Sequence, residues 1–431
     1  MAHMAPSGYR LLLPCDIAYL IIDQLHDDGA ALKACALVCR EWLPRSRYHL
    51  FRDLVVKSNH EQNDFEAFSE LLDLSRHVRE YICNLTLRGE NLPIPGTHWP
   101  RVLLPGQQPQ VTLQFLRDLI DRLPALRTLL LASVRCTDST LDPPTTAHSP
   151  RALERLTIQP PGPVPDNFIH VLNVLGLFSE IGSFALSFGT WSDTDINVND
   201  ALNEVCWPPE GPYIRTLEIV SLRACWLSVL LQTIARRCSR REGALHSLGV
   251  GLASEWSGVE TIGAFFGRVG ASIRTFRFDP FHALLFSELD DPERWRVLNL
   301  EACVNLESLL LNLDFMWYSY AESEVWDCKQ QGFRIYLELL SHCAPPALKR
   351  VIIRVSLDDR TDQVLGLDWQ WMDRVLCALS SLEAFIVDFE ECTYFAADEF
   401  TKMMPGMASK GILQLRCIEN LSEEPFWSIP C

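Results

Sequence analysis

The chain has 431 residues, 48% of them hydrophobic, and a net charge of -17, a composition that excludes wholesale disorder. No apolar run reaches the roughly 18 residues of a membrane span. Residues 1–60 carry seven Lys/Arg and six Asp/Glu, whereas from residue 280 onward 25 acidic residues face 12 basic ones. That balance argues against the basic stripes of a phosphate-binding nucleic-acid protein, and it fits either a solvated acidic surface or the attraction of a basic protein partner.

The N-terminal stretch from Leu13 to Val56 is the most densely patterned in the chain. Ile17, Ile21 and Leu25 recur every four residues as one helical stripe, with Pro14 and Asp16 suited to the first turn. Asp27-Asp28-Gly29 interrupts the period, and Leu32, Cys35, Ala36, Cys39 and Leu43 form a second stripe that Pro44 stops. A third segment follows. A unit of this size is small for a self-sufficient core and is expected to lean on a neighbour. The run Leu11–Leu13 is cut by Pro14 and lacks the cleavage region of a secretory leader. An intracellular location, cytoplasmic or nuclear, is therefore expected. Residues 57–78 read as a helical connector.

From residue 79 to 420 the chain repeats itself. An apolar residue, two others, an apolar residue, one other and a third apolar residue recur eleven times, from Ile82/Leu85/Leu87 to Ile412/Leu415/Cys417. The intervening copies begin at Leu126, Leu153, Ile181, Ile214, Leu245, Ile273, Leu306, Leu348 and Leu382, mostly 27 to 34 residues apart. Helix-like segments lie between them, at 115–123, 168–176, 226–238, 333–343 and 371–379. A short strand followed by an amphipathic helix cannot bury its apolar face alone, so such units stack. Pro- and Thr-rich insertions at 92–110, 136–150 and 190–212 read as loops, and 421–431 as a tail.

Fifteen cysteines without a CxxC pair read as free thiols of a reducing compartment, with no metal set. No GxSxG, Walker or HExxH motif occurs. His342-Cys343 ends a helix, and Asp290-Asp291, Asp358-Asp359 and Glu390-Glu391 lack surrounding polar patterning, so neither set is expected to be catalytic. Gly249-Val250-Gly251 reads as close backbone approach within a strand. A non-enzymatic binding protein without cofactor is the expectation.

Leu13-Pro14-x-Asp16-Ile17, then Leu20, Ile21 and Leu25, then Leu32-x-x-Cys35-x-Leu37-Val38-Cys39-Arg40-x-Trp42 resemble the F-box. The eleven copies resemble leucine-rich repeats of the longer, helix-backed kind, with Glu90, Gly189, Asp314 or Glu390 where that family places an asparagine. The resemblance implies an α/β protein: a three-helix F-box over residues 10–56, then a leucine-rich-repeat-like α/β solenoid. It implies a substrate-recognition subunit of a ubiquitin ligase, docking a Skp-type adaptor and, through it, cullin. The alternative is a repeat scaffold bound to the adaptor without ligase activity. Leu13, Pro14, Ile17, Ile21, Leu25, Leu32 and Val38 are the expected adaptor contacts, with Trp42 and Cys39 packing internally. Side chains between the core positions of a strand point away from the core. Arg277, Asp279, Asn312, Asp314, Arg354, Asp388 and Glu390 are accordingly the expected substrate contacts, suited to a basic segment.

Overall fold

A computed structural model describes residues 14–58, 64–89, 109–137, 150–160, 168–187, 212–238, 245–252, 256–280, 292–313, 322–356, 364–390 and 397–418. The protein is mixed α/β, with parallel strands, and divides into two compact units, Met1–Val134 and Arg135–Cys431. Among the described residues no helix is long and apolar enough to cross a membrane.

The first unit begins with three helices, α1 (Cys15–Gln24), α2 (Gly29–Val38) and α3 (Leu43–Arg52). Asp28 caps α2, its carboxylate accepting from the amides of Ala30 (3.0 Å) and Ala31 (2.9 Å). Pro44 occupies the first turn of α3, where its missing N–H leaves nothing unpaired. The sequence stretch read as F-box ends at residue 56, but its last four residues are already strand. β1 (Asp53–Ser58) pairs in parallel with β2 (Asn84–Gly89), because β-branched Val55 and Val56 favour a ladder over another helical turn. Helix α4 (Asp64–Leu74), the short β3 (Gln110–Thr112), α5 (Leu113–Arg122) and β4 (Thr128–Ala132) complete the unit, and β2 pairs with β4.

The second unit opens with the short β5 (Arg135–Thr137). Nine parallel strands follow: β6 (Arg151–Gln159), β7 (Phe178–Ser187), β8 (Tyr213–Leu222), β9 (Ser247–Leu252), β10 (Thr275–Asp279), β11 (Ser308–Leu313), β12 (Arg350–Ser356), β13 (Ala384–Glu390) and β14 (Leu413–Ile418). They lie side by side in chain order. The intervening helices are α6 (Phe168–Leu175), α7 (Ala224–Cys238), α8 (Trp256–Val269), α9 (Glu322–His342), α10 (Trp369–Ala378), α11 (Ala397–Met403) and α12 (Pro405–Lys410).

Each of the eleven sequence copies is a strand, β2, β4 or one of β6 to β14. In ten of them all three apolar positions are buried. In β14, last in the sheet order, Ile412 and Leu415 are half-buried and Cys417 is exposed, because among the described residues no further strand covers them. The registers join these positions into rows, as in Leu217↔Leu248, Phe276↔Leu309 and Val351↔Phe385.

Helix α8 approaches the 3-10 turn Pro292–Leu298 backbone to backbone. A Cβ on Gly263 would lie 1.9 Å from the Val297 carbonyl oxygen, so only glycine fits there. Beside that contact Trp256 meets the buried Trp295 edge to face, with centroids 5.0 Å apart.

Candidate functional site

Helix α1 carries two adjacent apolar stripes. Ala18 and Ile22 face inward, and Ile22 packs with Leu32 and Cys35 of α2, while Leu25, Trp42 and Leu50 close the edges of this small core. Ile17, Leu20 and Ile21 lie on the other stripe, with 47%, 63% and 43% of their surface in solvent. At the end of α2, Leu37 (88%) and Val38 (61%) are exposed as well. Single exposed hydrophobes are ordinary; here five lie on two short helices, with Pro14 and Tyr19 also exposed.

An ionic cluster fixes α1 against α3. Arg45 donates to both oxygens of Asp23, from Nε at 2.5 Å and Nη2 at 2.6 Å, and His49 Nε2 lies 2.7 Å from Oδ1. The Arg45 hydrogen bonds, helped by His49 and opposed by burial, hold the Asp23 carboxyl down at about 2. The cluster therefore ties α1, with its outer stripe, to α3.

Of the seven residues expected at this surface, Pro14, Ile17, Ile21 and Val38 are exposed, and Leu13 lies outside the described residues. Leu25 is half-buried against the core. Leu32 is a correction: at 1% exposure it is interior, because the α2 stripe to which it belongs faces Ile22. Cys39 is exposed, contrary to the internal packing expected of it, since α2 ends at Val38 and the chain there is extended. Leu20 and Leu37 are the most exposed of these residues and were not among the expected contacts.

In the second unit, residues between the core positions form rows across neighbouring strands. One row pairs Asn312↔Arg354↔Asp388↔Arg416. Asn312 Nδ2 donates to Asp279 at 3.3 Å, and Arg416 donates to both oxygens of Asp388 at 2.8 and 3.2 Å. The expectation that these side chains stand in solvent is corrected for Arg277, Asn312, Arg354 and Asp388, which are all buried. Strands about 4.8 Å apart make registered side chains cover one another. Asp279 is half-buried; Asp314 and the side chain of Glu390 lie outside what is described. The preceding row holds a second apolar cluster, Leu310, Ile352 and Ile386.

The sequence reading missed a column of hydroxyls. Ser183↔Thr216↔Ser247↔Thr275↔Ser308 are registered across five consecutive strands, each half-buried. The signal was present, since each residue directly precedes the middle apolar position of its copy. Beside this column, burial pushes the Glu218 carboxyl up to about 7, against the pull of Arg277 and Arg155. Gly249 sits between Glu218 and Arg277. A Cβ there would meet only their side chains, at 3.5–3.8 Å, so close backbone approach does not explain this glycine.

His342 pairs with Glu338 (3.6 Å), while Cys343 is buried and its thiol is pushed up by that burial. The pairs Asp290-Asp291 and Asp358-Asp359 lie outside the described residues, as does Glu391. Among the described residues no group of His, Cys, Asp or Glu is arranged to hold a metal ion. Compared with protein-family models and with curated protein sequences, the chain matches none.

Proposed function

We propose that this chain is a substrate-recognition subunit of a Skp–cullin–F-box ubiquitin ligase, acting inside the cell and performing no chemistry itself. The observation that carries the reading is the outer stripe of Ile17, Leu20 and Ile21 with Leu37 and Val38, on helices whose inner stripe already has its own core. Burying one such side chain is worth roughly 1.5–3 kcal/mol, so a handful supports a stable partnership with a Skp-type adaptor after association costs. The resemblance of residues 13–42 to the F-box gives that partner its identity. The repeats then hold a protein substrate and raise its effective concentration at the ubiquitin-carrying enzyme.

The test is co-purification of the full chain with the adaptor and cullin. Ile21→Asp places an unpaired charge at the contact without touching the internal core. Loss of the adaptor with an unchanged melting curve supports the reading, and retention by the folded variant defeats it. Adaptor without cullin would favour the scaffold reading over the ligase.

A further inference from the structure

The chain holds 32 arginines and six lysines, Lys33, Lys57, Lys329, Lys349, Lys402 and Lys410. Between Lys57 and Lys329 there are 21 arginines and no lysine. The two side chains are not interchangeable where a planar fork is used. Such sites exist here: Arg79 donates to the Leu72 carbonyl and to Asp73, Arg122 to Ser69 and Asp73, and Arg296 from two nitrogens to Glu338. Geometry accounts for those arginines.

It does not account for every arginine. Arg76, Arg268 and Arg274 are exposed and make no side-chain hydrogen bond or ion pair among the described residues. A solvated cation on a surface is served equally well by lysine, so folding does not select arginine there. What distinguishes them is the amine. A neutral lysine ε-amine attacks the thioester carbonyl of a ubiquitin-carrying enzyme. The C–N bond forms as the C–S bond breaks, the enzyme's cysteine leaves as thiolate, and the amine's proton passes to solvent. A guanidinium stays protonated and does not react this way.

The six lysines are unequal as acceptors: Lys57 already makes a contact of its own, and the side chain of Lys329 lies outside what is described. Lys349 lies 3.9 Å from Glu307, and Lys410 Nζ donates to the Cys377 carbonyl at 3.0 Å. Lys33 is one helical turn before Leu37, on the face given above to the adaptor. Lys402, on α11, is exposed and has no side-chain partner among the described residues.

Resting on the reading under Proposed function, we propose that residues 58–328 are cleared of ubiquitin acceptors by arginine, and that Lys402 is the main site of the chain's own ubiquitination. The experiment uses the full chain assembled with adaptor, cullin and a ubiquitin-charged conjugating enzyme, with acceptor sites mapped by mass spectrometry. Lys402→Arg should remove most of the modification. The triple variant Arg76→Lys, Arg268→Lys, Arg274→Lys should raise the initial rate about fourfold, the ratio of well-presented amines, with ubiquitin on the new lysines. Two results overturn the inference while leaving the ligase reading intact. One is a wild-type chain modified chiefly elsewhere than Lys402. The other is a triple variant that enters the complex, and whose new lysines react with an acylating reagent, yet takes ubiquitin at the wild-type rate, which leaves codon usage as the origin of the bias. A chain that never enters the complex defeats both readings, and co-purification reports that separately.

Discussion

Asp23→Asn isolates the ionic cluster that ties α1 to α3. The substitution keeps the shape of the side chain but removes the charge that holds Arg45 and His49. The carboxyl lies at about 2 instead of 3.8, and each pH unit is worth about 1.4 kcal/mol. Its side chain is 29% exposed, so solvent screening brings the contribution to about 1–2 kcal/mol. A carboxyl depressed in the folded state stabilises fully above its unfolded value and loses that contribution as pH falls through the folded one. The wild-type advantage should therefore be complete at pH 7, shrink to about half near pH 3, and vanish below about 2. Amide hydrogen exchange of peptides covering residues 15–52 in the full chain reads it directly. The variant should exchange about 5- to 30-fold faster at pH 7, with the gap narrowing at pH 3. A change under about twofold at pH 7, or a gap as wide at pH 3, would refute the assignment of stability to this cluster.

Other perturbations separate surface from core. Leu20→Asp should leave the melting temperature within about 2 °C of wild type but weaken adaptor affinity about 100-fold or more, read by calorimetry. Leu32→Ala should do the opposite first, lowering the stability of the helical unit by about 2–4 kcal/mol in urea unfolding. Glu218→Gln should stabilise the second unit, because a carboxyl raised from 4.5 to about 7 penalises the fold wherever the unfolded chain would ionise it. The gain should be near zero at pH 4, grow through the interval 4.5–7 and level off above it, at no more than about 3 kcal/mol, as measured by denaturant midpoints. Gly263→Ala should cost about 2 kcal/mol or more through the clash with the Val297 carbonyl, and a neutral result would show that α8 can move away.

The strands were legible because each carries three buried residues in a fixed spacing, and that spacing survives the exchange of Leu for Ile, Val or Phe. Five of the helices between them were legible for the same reason, although α9 starts eleven residues before the expected 333, whereas α8, α11 and α12 were not read. β1 was missed because Leu54 and Val56 are only half-buried and read as the end of the helical unit. On α1 the sequence offered two apolar stripes one residue apart, Ala18/Ile22 and Ile17/Ile21. Periodicity detects both but does not say which is inside. Packing against Leu32 and Cys35 decides it, and those residues lie on another helix.

The strand face that points away from the core was illegible for a different reason. Along one strand, a residue between core positions looks solvent-facing. Across a parallel ladder it belongs to a column whose members are neighbours in space and roughly 30 residues apart in sequence. Read by column, Asp279, Asn312, Arg354, Asp388 and Arg416 alternate in type, and the bonds Asn312–Asp279 and Arg416–Asp388 consume charge that a linear reading assigns to a partner. The acidic excess of the C-terminal third is therefore not displayed on this column, since two acids there are set against two arginines. Two rows away, the column of Ser183, Thr216, Ser247, Thr275 and Ser308 is uncharged between the arginines registered with its ends, Arg155 on β6 and Arg350 on β12. A net charge is a sum over the whole surface, whereas a binding face is a local column. The expectation of a basic substrate on the sheet face of the later repeats followed from the sum, and the column from Asp279 to Arg416 does not carry it.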